Sequence, residues 1–120
     1  MQEKFNPKKK NFINKFAQLC CKATARSVFI GDSIVNNLFR HYPELNIYDS
    51  LLLGISGEII EELLYRIKNG GIPKRATKVV VHIGTNNLGL DDPPALIDKL
   101  KYLFLAFVEL YPNHVFHPYY

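Results

Sequence analysis

Apolar residues in this chain follow two alternating rhythms. Short aliphatic runs each end at a turn of small or polar residues, and each turn gives way to apolar positions three or four residues apart. Val28, Phe29 and Ile30 run into Gly31-Asp32-Ser33, and Ile34 to Arg40 continues with helical spacing. Ile47 to Leu53 runs into Gly54-Ile55-Ser56-Gly57, after which Ile59, Ile60, Leu63, Leu64 and Ile67 mark a helix that Asn69-Gly70-Gly71 closes. Lys78 to Ile83 runs into Gly84-Thr85-Asn86-Asn87. Pro93 to Leu110 then reads as a long helix with Leu96, Leu100, Leu103, Phe104 and Phe107 inward. Tyr111-Pro112-Asn113 is a turn, and His114 to His117 opens a fourth strand.

Strands that alternate with helices predict a parallel sheet covered on both faces, the three-layer α/β/α arrangement. Right-handed crossovers and a flavodoxin-like order would set the first strand between the second and the third. Ahead of the first strand, Phe12, Ile13, Phe16, Leu19 and Cys20 give one apolar helical face opposite Lys15 and Lys22, expected to pack on the domain. The chain thus divides into a basic arm with an amphipathic helix at 1–26 and an α/β domain at 27–120. Each strand-and-helix crossover takes about 30 residues, so 120 residues predict an incomplete unit of about four of five strands.

Charge alters this picture only at one end. Residues 1–26 hold seven Lys or Arg against Glu3, a charge of +6, while the rest of the chain sums to −2. The high isoelectric point therefore describes the arm, which is expected to be a solvated leader or a weak contact for nucleic acid or an anionic membrane. Adjacent Cys20 and Cys21 cannot staple distant segments and are expected as reduced thiols in the cytoplasm. No run approaches the ~20 apolar residues of a membrane span.

The three turns carry the candidate chemistry. In the predicted strand order they meet at the carboxyl edge of the sheet, where ligands bind in open α/β folds. A serine after a strand and at the head of a helix, as at Ser33, exposes its hydroxyl, and the helix dipole favours negative charge near its backbone N–H. Gly57 lets a backbone N–H come close to a substrate, and Asn86 offers a side-chain amide. Three donors aimed at one oxygen form an oxyanion hole. Each motif alone has an ordinary structural reading, Gly31-Asp32-Ser33 as a helix-capping turn in particular.

Taken together and in this order, Phe29-Ile30-Gly31-Asp32-Ser33, Gly54-Ile55-Ser56-Gly57-Glu58 and Val80-Val81-His82-Ile83-Gly84-Thr85-Asn86-Asn87 resemble the nucleophile, glycine and asparagine blocks of the SGNH, or GDSL-type, hydrolases. The resemblance is nearest the platelet-activating-factor acetylhydrolase-like branch, and Leu64 to Gly70 looks like a helix end of that branch. It implies Ser33 as nucleophile, with Ser33, Gly57 and Asn86 as the oxyanion hole. Asp32 and Thr85 would support them, a small ester or acyl compound would be the substrate, and neither metal nor other cofactor is required. The family closes with Asp-x-x-His, and no Asp of this chain has His three residues on. His82 is expected as a packed or edge residue of the third strand, His41 as exposed, and His117, near the carboxyl end of the fourth strand, as the surrogate base to weigh. Without a base, the oxyanion hole supports at most a residual rate.

Two other readings compete with an esterase. One is a non-catalytic module whose cleft captures an acyl or carbohydrate ligand or a partner chain. The other is a nucleic-acid-associated protein working through its basic arm, an arm that also fits a retroelement-derived hydrolase or binding domain. A sheet that ends at its fourth strand would also leave an edge through which copies could pair.

Overall fold

The computed structural model describes residues 7–22, 25–42, 44 and 50–119. Helix α1 (Pro7–Lys22) leads into strand β1 (Ser27–Gly31), helix α2 (Ser33–His41) and strand β2 (Ser50–Gly54). Helix α3 (Ile60–Lys68), strand β3 (Lys78–His82), helix α4 (Pro93–Leu110) and strand β4 (Val115–Tyr119) follow. All pairings are parallel and the strand order is β2-β1-β3-β4. The flavodoxin-like order expected from the alternating pattern is therefore the observed one, and the helices complete an α/β fold. The first half of the predicted second strand, Ile47 to Asp49, lies outside the described residues.

Period-two alternation decides which strand residues enter the core. Val28 and Ile30 of β1, Leu53 of β2, and Val79 and Val81 of β3 are buried in one cluster with Ile60, Leu63, Leu64 and Ile67 of α3 and with Leu103, Ala106 and Phe107 of α4. Helix α2 packs instead on β2 and β1. Right-handed crossovers put it on the opposite face, because the chain moves one way along the sheet from β1 to β2 and the other way from β2 to β3. Close seating of α2 depends on Gly54, since a Cβ there would collide with the backbone of Asn36.

Two inward assignments are corrected. Phe104 is 44% exposed, although Leu103 and Phe107 beside it are buried. A helix turns by 3.6 residues, so the stripe through Leu103, Ala106 and Phe107 turns Phe104 outward with Ile97, Leu105 and Val108. Leu19 of α1 is 45% exposed, whereas Ile13 and Cys20 are buried and Phe16 packs on the core. The side chain of Phe12 lies outside the described residues. Helix α1 thus docks through a narrower stripe than its five apolar positions suggest, and Cys20 joins the main core.

The largest fully buried side chain among the described residues is charged. Arg66, wholly buried on α3, donates from Nη1 to the carbonyl of Leu53 at 2.9 Å and from Nη2 to Glu58 Oε1 at 2.9 Å. Nη2 also approaches the carbonyl of Gly31 at 3.5 Å, and the guanidinium lies 5.6 Å from the ring centre of Phe16. Burial lowers its proton affinity, and the charge of Glu58 opposes that effect.

Removing one partner of such a pair leaves a buried charge uncompensated. Arg66→Met is therefore expected to cost about 3–5 kcal/mol of unfolding free energy, read from urea denaturation; a loss below the scatter of surface variants would contradict this account. Cys20 gives a second test, because burial pushes its thiol from 9.0 up to about 11. The folded chain keeps that proton while the unfolded chain releases it, so stability should fall as pH rises from 9 toward 11. Cys20→Ala should flatten that part of the pH dependence, as measured by urea midpoints on either side of pH 9.

Candidate active site

Register brings the three turns to one level. Gly31, the last residue of β1, is paired with Gly54 on one side and with His82 on the other. Neighbouring strands lie about 4.8 Å apart. Ser33, Gly57 and Asn86 therefore all leave the carboxyl edge of the sheet from adjacent strands.

At the first turn, the helix-capping role falls to Asp32 and not to Ser33. Asp32 is 1% exposed and has extended backbone, and its Oδ1 accepts the N–H of Ile34 at 3.1 Å. That bond satisfies one of the donors that open α2. Ser33 is then the first residue of the helix, half-buried, and its hydroxyl makes no hydrogen bond among the described residues. A serine that caps a helix spends its oxygen on the backbone, and this one does not.

The other two turns are tied to each other. Asn86 donates from Nδ2 to the carbonyl of Glu58 at 3.0 Å, directly beside Gly57. An amide nitrogen carries two hydrogens, so this bond orients the group and leaves a second donor. Gly57 is exposed and has φ of 74°, a left-handed conformation that a side chain would strain. Thr85 begins a single 3-10 turn, Thr85–Asn87, and its carbonyl accepts the N–H of Leu88 at 3.2 Å.

Several residues that build the site were not among the candidates read from the sequence. Asn87 is fully buried, accepts the N–H of Ile60 at 2.9 Å, and donates to Glu61 at 3.1 Å and Asp91 at 2.9 Å. It caps α3 from a distance, together with Glu62, whose Oε1 accepts the N–H of Ile59 at 3.0 Å. Lys99 closes the cluster on Asp91 at 2.8 Å and Glu61 at 3.2 Å. Hydrogen bonding to Lys99 lowers the proton affinity of Asp91, and the same bond raises that of Lys99. Glu58 carries the Arg66 pair into the loop that holds Gly57. An arginine within the apolar run Leu63-Leu64-Tyr65-Arg66-Ile67 was the available sequence signal for that pair.

The histidines separate. His82 was expected as a packed or edge residue, but its Nδ1 lies 3.3 Å from Asp32 Oδ1 and its side chain is 21% exposed. His41 is exposed, as expected. His117 pairs in register with Val80, and its side chain lies outside the described residues. Among the described residues no group of three or more His, Cys, Asp or Glu is arranged to hold a metal ion, and no helix is long and apolar enough to cross a membrane.

No protein-family model and no curated protein matches the chain. Solved structures do. A GDSL-like lipase from Bacteroides thetaiotaomicron superposes with a TM-score of 0.71 at 21% identity, over 91% of this chain and 56% of the lipase. A protein from Bacteroides fragilis assigned as an acylhydrolase gives 0.73 at 20% identity, over 97% of this chain and 58% of its own. A Streptococcus pneumonia protein assigned as a platelet activating factor gives 0.71 at 23% identity, over 91% and 52%. The chain thus spans little more than half the length of the structures it resembles.

Asn87 offers a test of how this region is held. Asn87→Ala would strip a buried N–H of α3 of its acceptor, and a buried unsatisfied donor costs about 1–3 kcal/mol. Equilibrium unfolding should show that loss; an unchanged midpoint would remove Asn87 from the account.

Proposed function

Because the chain carries the SGNH/GDSL hydrolase-like fold, we propose that it is a serine ester hydrolase domain. Its substrate would be a small ester or acyl compound. The Ser33 hydroxyl is the nucleophile. The backbone N–H groups of Ser33 and Gly57, with the Asn86 amide, stabilise the oxyanion that forms when the hydroxyl attacks the carbonyl carbon.

One observation carries this reading. Asp32 takes over the capping of α2, which leaves the Ser33 hydroxyl unspent at the start of a helix and at the carboxyl edge of the sheet. A capping turn needs only one oxygen, and here the second polar side chain has no structural duty. The Asn86–Glu58 bond supports the same reading, since it orients an amide donor beside Gly57 before any substrate arrives. Preorganised donors count because they need no reorientation as charge develops.

Two variants test the assignment with p-nitrophenyl acetate. Ser33→Ala should abolish the turnover shown by the unaltered chain. Asn86→Ala should lower kcat by about 100- to 1000-fold, the usual loss for one oxyanion donor. Equal turnover by the unaltered chain and Ser33→Ala would favour a non-catalytic binding module.

A further inference from the structure

Acidic residues are missing from two long stretches of this chain. Residues 4–31 and 63–90 hold no Asp or Glu, and together they carry twelve of the fifteen Lys and Arg. The fold lays these stretches side by side. Gly70 abuts α1, where an added Cβ would lie 3.8 Å from that of Ala17. The Arg66 guanidinium faces the Phe16 ring, and the carbonyl of Arg26 accepts the N–H of Thr77 at 2.8 Å and that of Lys78 at 3.1 Å. Ser27 and Lys78 pair in register at the start of β1 and β3, so Arg26 and Lys78 both stand at the amino end of the sheet. Lys15, Arg26, Lys74, Arg75 and Lys78 are exposed. Lys74 and Arg75 line a groove of about 400 Å³ with Thr77 and Asn113. One basic surface thus runs from α1 around the amino end of the sheet, at the opposite end of the strands from Ser33. Like charges gathered in this way repel one another, and a bound polyanion relieves that repulsion.

We propose that this surface binds the phosphate backbone of a nucleic acid, without regard to base sequence. Cations supply the attraction, because each phosphate that Lys or Arg neutralises releases condensed counterions. Lys8, Lys15 and Lys22 stand seven residues apart on α1, about 10 Å of helix for each step. Arg26 follows the end of that helix. The exposed neighbours of Lys15 on α1 include Asn11, Asn14 and Gln18, and side-chain amides donate to phosphate and sugar oxygens. A membrane surface would instead require an apolar face beside the lysines. Leu19 is the one large apolar side chain exposed on α1 among the described residues. Stacking on bases needs exposed aromatic rings, and Phe16 packs on the core. Recognition therefore rests on charge, and it leaves the carboxyl edge of the sheet, with Ser33, open.

The probe is a fluorescein-labelled DNA duplex of about 20 base pairs, titrated with the full chain between about 50 and 200 mM salt and read by anisotropy. The expected dissociation constant is on the order of 1–100 μM at physiological salt, the usual range for binding without sequence preference. A duplex of scrambled sequence should give the same value. The triple variant Lys74→Gln, Arg75→Gln, Lys78→Gln should bind more weakly and flatten the slope of log K against log salt by about three. Lys15→Gln with Lys22→Gln should flatten it by about two, whereas Lys101→Gln on α4 should leave it unchanged. Circular dichroism checks that each variant keeps its fold. Should the triple variant not fold, Arg75→Gln alone carries the measurement, with a change of about one. A slope unmoved by the Lys74, Arg75 and Lys78 changes would overturn the joint surface, even with weaker binding by the α1 variant. Capture by phosphatidylserine vesicles with none by the duplex would overturn nucleic acid as the partner, and so would an affinity that does not fall with salt.

Discussion

A single buried cation organises the part of this molecule where chemistry is expected. The Arg66 side chain runs from α3 to the carboxyl ends of β1 and β2, where its guanidinium meets two strand carbonyls and Glu58. Those carbonyls stand at the carboxyl ends of the strands, and that of Gly31 also accepts the N–H of Ile55 at 2.9 Å. Water would serve them in an open fold, but here α3 and Phe16 of α1 cover the spot. A buried charge is tolerable only when paired and hydrogen-bonded, so Glu58 must sit where it does. Its loop, with Gly57 in left-handed conformation, follows.

The third turn is fixed by the same economy of polar groups. Helix α3 has Ile59 at its N-cap position, a residue whose side chain cannot cap. Glu62 answers one open N–H from within the helix, and Asn87 answers another from across the sheet. Asn87 is in turn held by Glu61, Asp91 and, through them, Lys99 of α4. Neighbouring Asn86 is thereby aimed at the Glu58 carbonyl. The two adjacent asparagines divide the labour, the buried one supporting the helix and the half-buried one tying this turn to the Glu58 carbonyl.

Near Ser33 the two polar residues divide it in the same way. Asp32 absorbs the capping requirement of α2 and engages His82, which frees the serine hydroxyl. In the three loops, buried Asp32, Glu58 and Asn87 bear the structural load next to Ser33, Gly57 and Asn86. Rigid support beneath adaptable groups is what a preorganised site needs.

How far all this could be read in advance follows from the range of each interaction. The alternation of Val28, Ile30, Leu53, Val79 and Val81 with helical stripes, and the small-residue turns between them, determined the four strands, their order and the edge at which Ser33, Gly57 and Asn86 emerge. Those are local preferences combined with a handedness common to all such sheets. The Arg66–Glu58 pair, the remote cap by Asn87 and the approach of His82 to Asp32 join residues 8, 27 and 50 positions apart. Nothing local signals such partners, since a buried polar group accepts whichever donor or acceptor the packed chain delivers to it. Phe104 and Leu19 turned outward for the same reason, because periodicity names an apolar stripe and only the neighbouring elements decide how much of it they cover.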